Sequence, residues 1–295
     1  MKISEILASA KGNRPVFSFE FFPPKTPEGE ESLYRTIDDL KTLKPDFVSI
    51  TYGAGGSTRD KTVEWSRRIK FELGVETMAH LTCVGASKIE ILGLLNRLAE
   101  IEIENILALR GDPPKGKSNF MPAEDGLAHA SELISFIRSK WNARFSLGAA
   151  GYPEKHPEAV NFEIDINYLK AKMEAGADFV LTQLFFDNKD YYKFIDTLKN
   201  KFGGELPCPV IPGLMPVTAA DQLKKFAEMC GAKIPEALEK EVLSAKNKEE
   251  VEEIGIAYAI KQAKGLLNHG APGIHFYTLN KSKSAMKVLG TIKHD

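Results

Sequence analysis

VFSFEFFPPKTPEGEESLYRTIDDLKTLKPDFVSITYG, residues 16–53, holds two aromatic and β-branched runs, VFSFEFF from 16 and FVSITYG from 47. Between them lies EESLYRTIDDLKTL, whose apolar residues recur at helical spacing. The runs read as buried strands and the middle segment as a helix, so the stretch is one β-α-β unit. Further strand-like runs start at 76 (ETMAHLTC), 105 (NILALRGD), 145 (FSLGAAGY), 179 (FVLTQLFF), 208 (CPVIPGLM) and 273 (GIHFYTL), and KIEILGLLNRLAEI is another helical connection. Most starts lie roughly 30 to 40 residues apart, the length of a strand plus its crossover helix. Eight units predict an α/β fold, a (β/α)8 TIM barrel, rather than a doubly wound sheet, which usually stops at about five or six strands. The long gap between strands 7 and 8 holds two extra helical stretches. In IPEALEKEVLSA, Pro235 suits a first helical turn; in EEVEEIGIAYAIKQAKGLLNHG, Ile256, Ile260, Ala263 and Leu267 share one face before Gly270 ends it. With no linker or composition break, residues 1–295 are expected to form a single barrel domain.

Composition narrows the function. Lys plus Arg total 39 against 40 Asp plus Glu, so no net field draws nucleic acid or an anionic membrane, and small-molecule chemistry is the expectation. Cys83, Cys208 and Cys230 form neither CxxC pairs nor an even set, which argues against a disulfide framework and a structural zinc site. The N-terminal MKISEILASAKGNRP is a short amphipathic stretch broken by Gly12 and Pro15, without the apolar core of a signal peptide. A cytoplasmic location, with no membrane or nucleic-acid partner, is therefore expected.

In a barrel the reactive groups lie at the C-terminal ends of the strands. Those ends read Glu20; Thr51 and Tyr52; His80 and Thr82; Arg110 and Asp112; Tyr152; Gln183; and Tyr277 with Asn280 beyond. Alternation puts Ser18 and Glu20 on one strand face against Phe17, Phe19 and Phe21, and gives Arg110 and Asp112 a shared parity against Leu109 and Gly111. The polar set can then face the lumen. Burying Glu20 among phenylalanines costs several kcal/mol, on the order of the transfer penalty of an unpaired polar group, unless it is paired or protonated. Either it serves chemistry or it marks where the strand meets solvent. Singly, His80 reads as a structural histidine and Arg110 with Asp112 as a local ion pair; together the set suits a polar, partly charged organic ligand. No strand core holds a lysine for Schiff-base chemistry, and the six histidines offer no HxH or HExxH pair, so no metal is expected. GAGGST, 53 to 58, could cradle a phosphate or simply make a tight strand-to-helix turn.

FEFFPPK, SITYGAGGS, HLTC, LRGDPP, GYPEKHPEA, TQLFFD, IPGLMP and FYTLN, one per strand and in that order, resemble the flavin-dependent catalytic barrel of the methylenetetrahydrofolate reductase family. The resemblance spans nearly the whole chain, without the C-terminal regulatory domain of animal-type relatives. It implies non-covalent FAD and a ping-pong reaction: NADH or NADPH reduces the flavin, which then passes hydride to 5,10-methylenetetrahydrofolate, giving 5-methyltetrahydrofolate. Glu20 then matches the family's general acid, which opens the folate ring at N10, a step requiring a carboxyl that can hold a proton near neutrality. Asp112 matches the acidic residue near flavin and folate that stabilises the cationic iminium. Arg110, Gly111 and Asp112 match flavin-lining positions, as do Thr51, Tyr52, Ala54, His80, His129, Ala130, Tyr152, His156, Asp165 and Lys172. Gln183 matches the glutamine that bonds the pterin, and Lys281 stands where others have Arg, keeping a cation for the folate tail without its bidentate fork.

The sequence departs from the family pattern elsewhere. His129 and Ala130 stand where relatives often read Tyr-Ala, Ala171 stands where some carry Arg, and the loop VTAAD after Pro216 lacks the aromatic some relatives place over the substrate. A homo-oligomer is expected. The competing readings are a pterin-binding transferase barrel without flavin, which a colourless protein would favour, and a non-catalytic barrel, which would have no reason to gather Glu20, Asp112 and Gln183.

Overall fold

A computed structural model describes residues 1–53, 59–112 and 122–294. Eight parallel strands close in sequence order: β1 (Val16–Phe21), β2 (Phe47–Ile50), β3 (Thr77–Thr82), β4 (Asn105–Leu109), β5 (Ser146–Gly151), β6 (Phe179–Leu184), β7 (Val210–Leu214) and β8 (Gly273–Tyr277). All eight expected strands are present, and β1 closes the barrel on β8. Helices α2 (Pro27–Lys41), α3 (Arg59–Phe71), α4 (Lys88–Glu100), α5 (Ala130–Trp141), α6 (Phe162–Glu174) and α7 (Asn188–Lys201) follow the first six strands in turn. Their starts are written locally. Thr26 accepts from the Gly29 N–H ahead of Pro27 at the first turn of α2, and Ser87 with Glu90 forms a reciprocal capping box on α4.

Strand alternation sorts side chains into two cores. Phe17, Phe19 and Phe21 face outward with Leu33, Ile37 and Leu40 of α2 in one continuous apolar layer. Inward-facing Val16, Phe47, Met78, Leu107, Phe179, Leu181 and Ile211 fill the N-terminal end of the lumen. A helix plugs that end. The amphipathic N-terminus forms α1 (Ile3–Ala10), whose Ile3, Ile6, Leu7 and Ala10 join the same cluster. Two of its first-turn N–H groups, without partners in their own helix, are satisfied by strand side chains: Ile3 N–H donates to Asn105 Oδ1 at 2.7 Å and Ser4 N–H to Ser146 Oγ at 3.1 Å. With the lower lumen filled by hydrocarbon, polar side chains gather above it.

Between β7 and β8 lie α8 (Ala220–Cys230), α9 (Glu236–Ser244) and α10 (Lys248–Asn268), and α11 (Lys283–His294) closes the chain. The two expected helices are α9 and α10. The segment read as the loop VTAAD is shorter than supposed, because Ala219 caps α8 and Ala220 begins it. Pro235 stands at the N-cap of α9, one position before its first turn. The buried face of α10 also differs from the expected one: Val251, Gly255, Ala259, Gln262, Ala263 and Leu266 are buried, while Ile256, Ile260 and Leu267 flank them. Gly255 sets that face, since a Cβ there would stand 1.9 Å from Val217 O. None of the helices among the described residues is long and apolar enough to cross a membrane.

Candidate functional site

The strand ends form two polar groups. The first is built on β1, β3 and β8. Glu20 lies beside Ser49 and Tyr277 in the ladder, and Ser18 beside His275. The Glu20 side chain is 12% exposed, and its Oε2 stands 3.4 Å from His80 Nε2 and 3.7 Å from His275 Nε2. Ser18 Oγ and His275 Nδ1 are 2.8 Å apart. Above them Tyr277 donates its hydroxyl to Thr182 O at 2.6 Å, in space left by Gly213, where a Cβ would fall 2.5 Å from the tyrosine ring. Burial pushes the Tyr277 hydroxyl far above its ordinary value, and the Glu20 charge adds to the effect. It therefore stays a neutral donor. Thr278 Oγ1 holds Glu20 O at 2.6 Å, and the Asn280 amide clamps Phe22, accepting its N–H at 2.8 Å and donating to its carbonyl at 2.9 Å. The β1 end is thus tied to the β8 end.

Burial lowers the His80 imidazole to about 4, against which the Glu20 charge works upward. His80 is neutral at pH 7 and does not neutralise Glu20. A pH dependence follows. The folded value lies below the ordinary 6.5, so the unfolded chain takes up this proton first; the contribution is complete above about pH 6.5 and is lost as pH falls toward about 4. The loss is on the order of 3 kcal/mol. Glu154, raised to about 7 by burial, acts with opposite sign in an overlapping window. The informative quantity is therefore the difference between parent and His80→Asn in urea unfolding from pH 4 to 7. That difference should narrow as pH falls; a constant difference would show that His80 is not desolvated.

The second group spans the ends of β4 and β5 and the start of α6. Arg110 donates two forked bonds to Glu158, at 2.6 and 2.8 Å, and the Glu158 N–H donates to His156 Nδ1 at 3.1 Å. The Tyr152 ring stands edge-on to His156 with centroids 4.6 Å apart. Asp165 Oδ2 accepts the His156 N–H at 2.9 Å, and Lys172 Nζ donates to Ala150 O at 2.5 Å. Burial lowers Lys172 to about 8, opposed by Asp165. This wall can receive an anionic or hydrogen-bonding ligand through Arg110 and Lys172. Gly111 makes its turn possible: φ is +87°, and a Cβ would stand 2.6 Å from Val84 Cγ1.

The structure corrects the parity assigned to the fourth strand. The lumen-facing residues there are Leu107 and Leu109, which belong to the lower cluster, and β4 ends at Leu109. Arg110 and Asp112 lie past the strand, where alternation no longer holds. The forked bonds of Arg110 go to Glu158, not to Asp112, which is exposed. Thr51 is buried at the end of β2, whereas Tyr52 packs in the outer core with its hydroxyl raised to about 12 by burial, an effect Arg59 opposes. Gln183 turns back on its own strand, Oε1 accepting the Leu184 N–H at 2.8 Å beside a register shift between Leu181 and Leu184. His129 is the exposed N-cap of α5 and Ala130 its first residue. Lys281 is exposed at a small cleft shared with Met215, Pro216, Tyr277 and Leu279. Ala54 and most of GAGGST lie outside the described residues.

Three contributors were not singled out from sequence. His275 has the same strand parity as Tyr277, which could have revealed it. Glu158 lies within GYPEKHPEA, but nothing local there marks it as the partner of Arg110. Cys230 ends α8, and burial raises its thiol to about 11, with the charges of Asp112 and Glu20 adding to the effect. The chain beyond α8 reaches the β5 side, where the Lys233 N–H donates to both Glu154 oxygens at 2.8 and 3.1 Å.

A closed (β/α)8 barrel with its lower lumen filled carries polar groups from β1, β3, β4, β5 and β8 at its upper mouth, the end where enzymes of this fold class carry their active sites. Residues 2–293 match the family model for methylenetetrahydrofolate reductase. A protein of Arabidopsis thaliana named methylenetetrahydrofolate reductase (NADH) 1 is 40% identical over 297 residues, covering 97% of this chain and 50% of that protein. The 5,10-methylenetetrahydrofolate reductase of Salmonella typhimurium is 36% identical over 291 residues, covering 98% of this chain and 94% of that protein. The chain belongs to the methylenetetrahydrofolate reductase family. It spans about half the length of the plant relatives it matches. A solved structure from Clostridium thermocellum, of a protein described as binding two copies of 5-methyl-5,6,7,8-tetrahydrofolic acid, has a TM-score of 0.68 over 99% of both chains at 15% identity, a likeness of fold.

Proposed function

We propose that the protein reduces 5,10-methylenetetrahydrofolate to 5-methyltetrahydrofolate with electrons from NADH or NADPH, using FAD held non-covalently at the barrel mouth. The observation that carries this reading is Glu20: a carboxyl group at the floor of the mouth, flanked by two imidazoles and set in a chain of this family. The mouth fits a cofactor with a polar ring edge. His80 Nε2, Thr82 Oγ1 and Ser49 Oγ are buried polar atoms there without hydrogen-bond partners, a costly arrangement unless a ligand completes it. His80, Thr82, Arg110, Gly111, Tyr152, His156 and Lys172 would hold the cofactor. When bound, FAD supplies a two-electron hydride carrier between nicotinamide and folate.

The residues of the chain then divide the work. Glu20 gives its proton to N10 of the folate as the bond from N10 to the methylene carbon breaks, leaving that carbon as a cationic iminium on N5. The negative charge of Asp112 stabilises the developing positive charge, and hydride capture at the carbon completes the methyl group. Gln183 orients the pterin and Lys281 pairs with the carboxylates of the folate tail. The neutral phenol of Tyr277 closes the β8 side of the mouth without adding charge beside Glu20. Purified protein should yield FAD in the supernatant after acid precipitation. Colour retained in the pellet would contradict non-covalent binding, and a colourless protein would favour the flavin-free transferase.

A further inference from the structure

The pairing of β1 with β8 ends at Glu20 and Tyr277, yet the two chains stay joined beyond it. The Asn280 side chain takes the place of a strand: its Oδ1 accepts the Phe22 N–H at 2.8 Å, and its Nδ2 donates to the Phe22 carbonyl at 2.9 Å. The Thr278 hydroxyl donates to Glu20 O at 2.6 Å and accepts the Asn280 N–H at 3.2 Å. The Lys281 N–H closes the turn on Thr278 O at 2.8 Å. Both central residues of that turn, Leu279 at φ +51° and Asn280 at φ +59°, lie in the left-handed region. Asparagine is tolerated there; leucine is not, and glycine would be the unstrained choice. Strain of this kind persists only where surrounding bonds over-determine the backbone, and it points to a use for the side chain that bears it. Leu279 packs against the cluster containing Met215 and Val217, and it lines the small cleft with Met215, Pro216 and Lys281.

We propose that the turn from Thr278 to Lys281 is a coupling element with Asn280 as its positioning residue. By gripping both main-chain groups of Phe22, Asn280 joins the cleft wall that carries Leu279 and Lys281 to the strand end that carries Glu20, so that a carboxylate-bearing chain docked in the cleft fixes Glu20 against its substrate. This rests on the reading of Glu20 as the acid and of Lys281 as the cation for the folate tail. Phe22 follows Glu20 by two residues and Asn280 directly precedes Lys281, so a shift of either segment reaches the other through a pair of bonds rather than through a long loop. The binding energy of the glutamate, remote from the reacting carbon, is then expressed in the rate of ring opening and not in affinity alone. Hydride transfer from nicotinamide needs no folate tail and is untouched. Asn280 acts only through Phe22.

Two variants test the coupling. Asn280→Gly removes both clamp bonds and suits the positive φ, so the turn survives without its grip. Asn280→Asp keeps the acceptor for the Phe22 N–H and loses the donor to the carbonyl. Each is compared with the parent in anaerobic single turnovers at saturating 5,10-methylenetetrahydrofolate and at saturating 5,10-methylenetetrahydropteroate, which keeps N10 but lacks the glutamate. The parent should reduce the pteroate about 10-fold more slowly than the folate. Asn280→Gly should reduce both at the slow rate, closing the gap to within about 2-fold, with flavin reduction by nicotinamide unchanged. Asn280→Asp should show an intermediate gap. A parental gap in Asn280→Gly, no gap in the parent at saturation, or equal slowing of both half-reactions would overturn the coupling. If Asn280→Gly does not fold, Asn280→Asp decides by the same comparison: a narrowed gap supports the coupling and a parental one overturns it. Glu20→Gln keeps this failure apart from that of the acid reading. If Glu20→Gln is slow with the folate while the Asn280 variants keep the parental gap, only the coupling fails; if Glu20→Gln is itself parental, the acid assignment fails.

Discussion

Glu20→Gln retains a folded barrel and flavin reduction by NAD(P)H near the parent rate, but loses about 100-fold to 10,000-fold in the reoxidation of reduced flavin by methylenetetrahydrofolate. The substitution is nearly isosteric, and an amide costs less to bury than a carboxylate at a position only 12% exposed. One polar atom of the amide still stands where Oε2 lies between the two imidazoles, so the floor of the mouth keeps its shape. What the amide cannot do is give up a proton to N10. Nicotinamide oxidation needs no such proton, which is why the two half-reactions separate. Stopped-flow traces check this: fast bleaching followed by slow or absent recovery is expected. Equal slowing of both phases would make Glu20 a positioning group for the cofactor, and parental rates in both would leave it a structural carboxylate beside two imidazoles.

Asp112→Asn is expected to slow the folate half-reaction by about 100-fold, with little effect on unfolding by urea. Arg110 directs its forked bonds to Glu158, and the guanidinium is held above its ordinary value first by that partner, with Asp112 adding a smaller contribution. The Asp112 charge is therefore not taken up by a bidentate pair and can act on a cation forming at the mouth. Because Asp112 is exposed, solvent screens it before ligand binds, which sets the expected effect at the lower end of the range for removing one electrostatic stabiliser. An unchanged folate half-reaction in single-turnover experiments would leave Asp112 as a local partner of Arg110 and Tyr152.

The barrel was legible because strands covered on both faces have to be written as short apolar runs, and crossover helices have to carry an apolar face between them. Glu20 stood out for the same reason: alternation in VFSFEFF places it inward, and inward acids are costly. The rule failed at LALRGD, since alternation constrains side chains only while the ladder lasts and β4 ends at Leu109. At GIHFYTL the parity that selects Tyr277 also selects His275. Glu158 and Cys230 are a different matter. Their positions depend on how the β5 loop folds back on Arg110 and how α8 packs, contacts between distant segments that leave no periodic trace. The role of α1 as a plug also needed the barrel first, because its apolar face has a purpose only once Phe47, Met78 and Phe179 are seen to fill one end.

The central claim is that one mouth takes hydride from a nicotinamide and delivers it to a folate protonated by Glu20. Its most direct test is the anaerobic visible spectrum of the purified protein, recorded as NADH or NADPH and then 5,10-methylenetetrahydrofolate are added. The account predicts flavin absorbance that bleaches with the nicotinamide and returns with the folate, with one 5-methyltetrahydrofolate formed for each flavin reoxidised. Bleached flavin that stays reduced in the presence of the folate, or product formed by a protein without flavin absorbance, would contradict it.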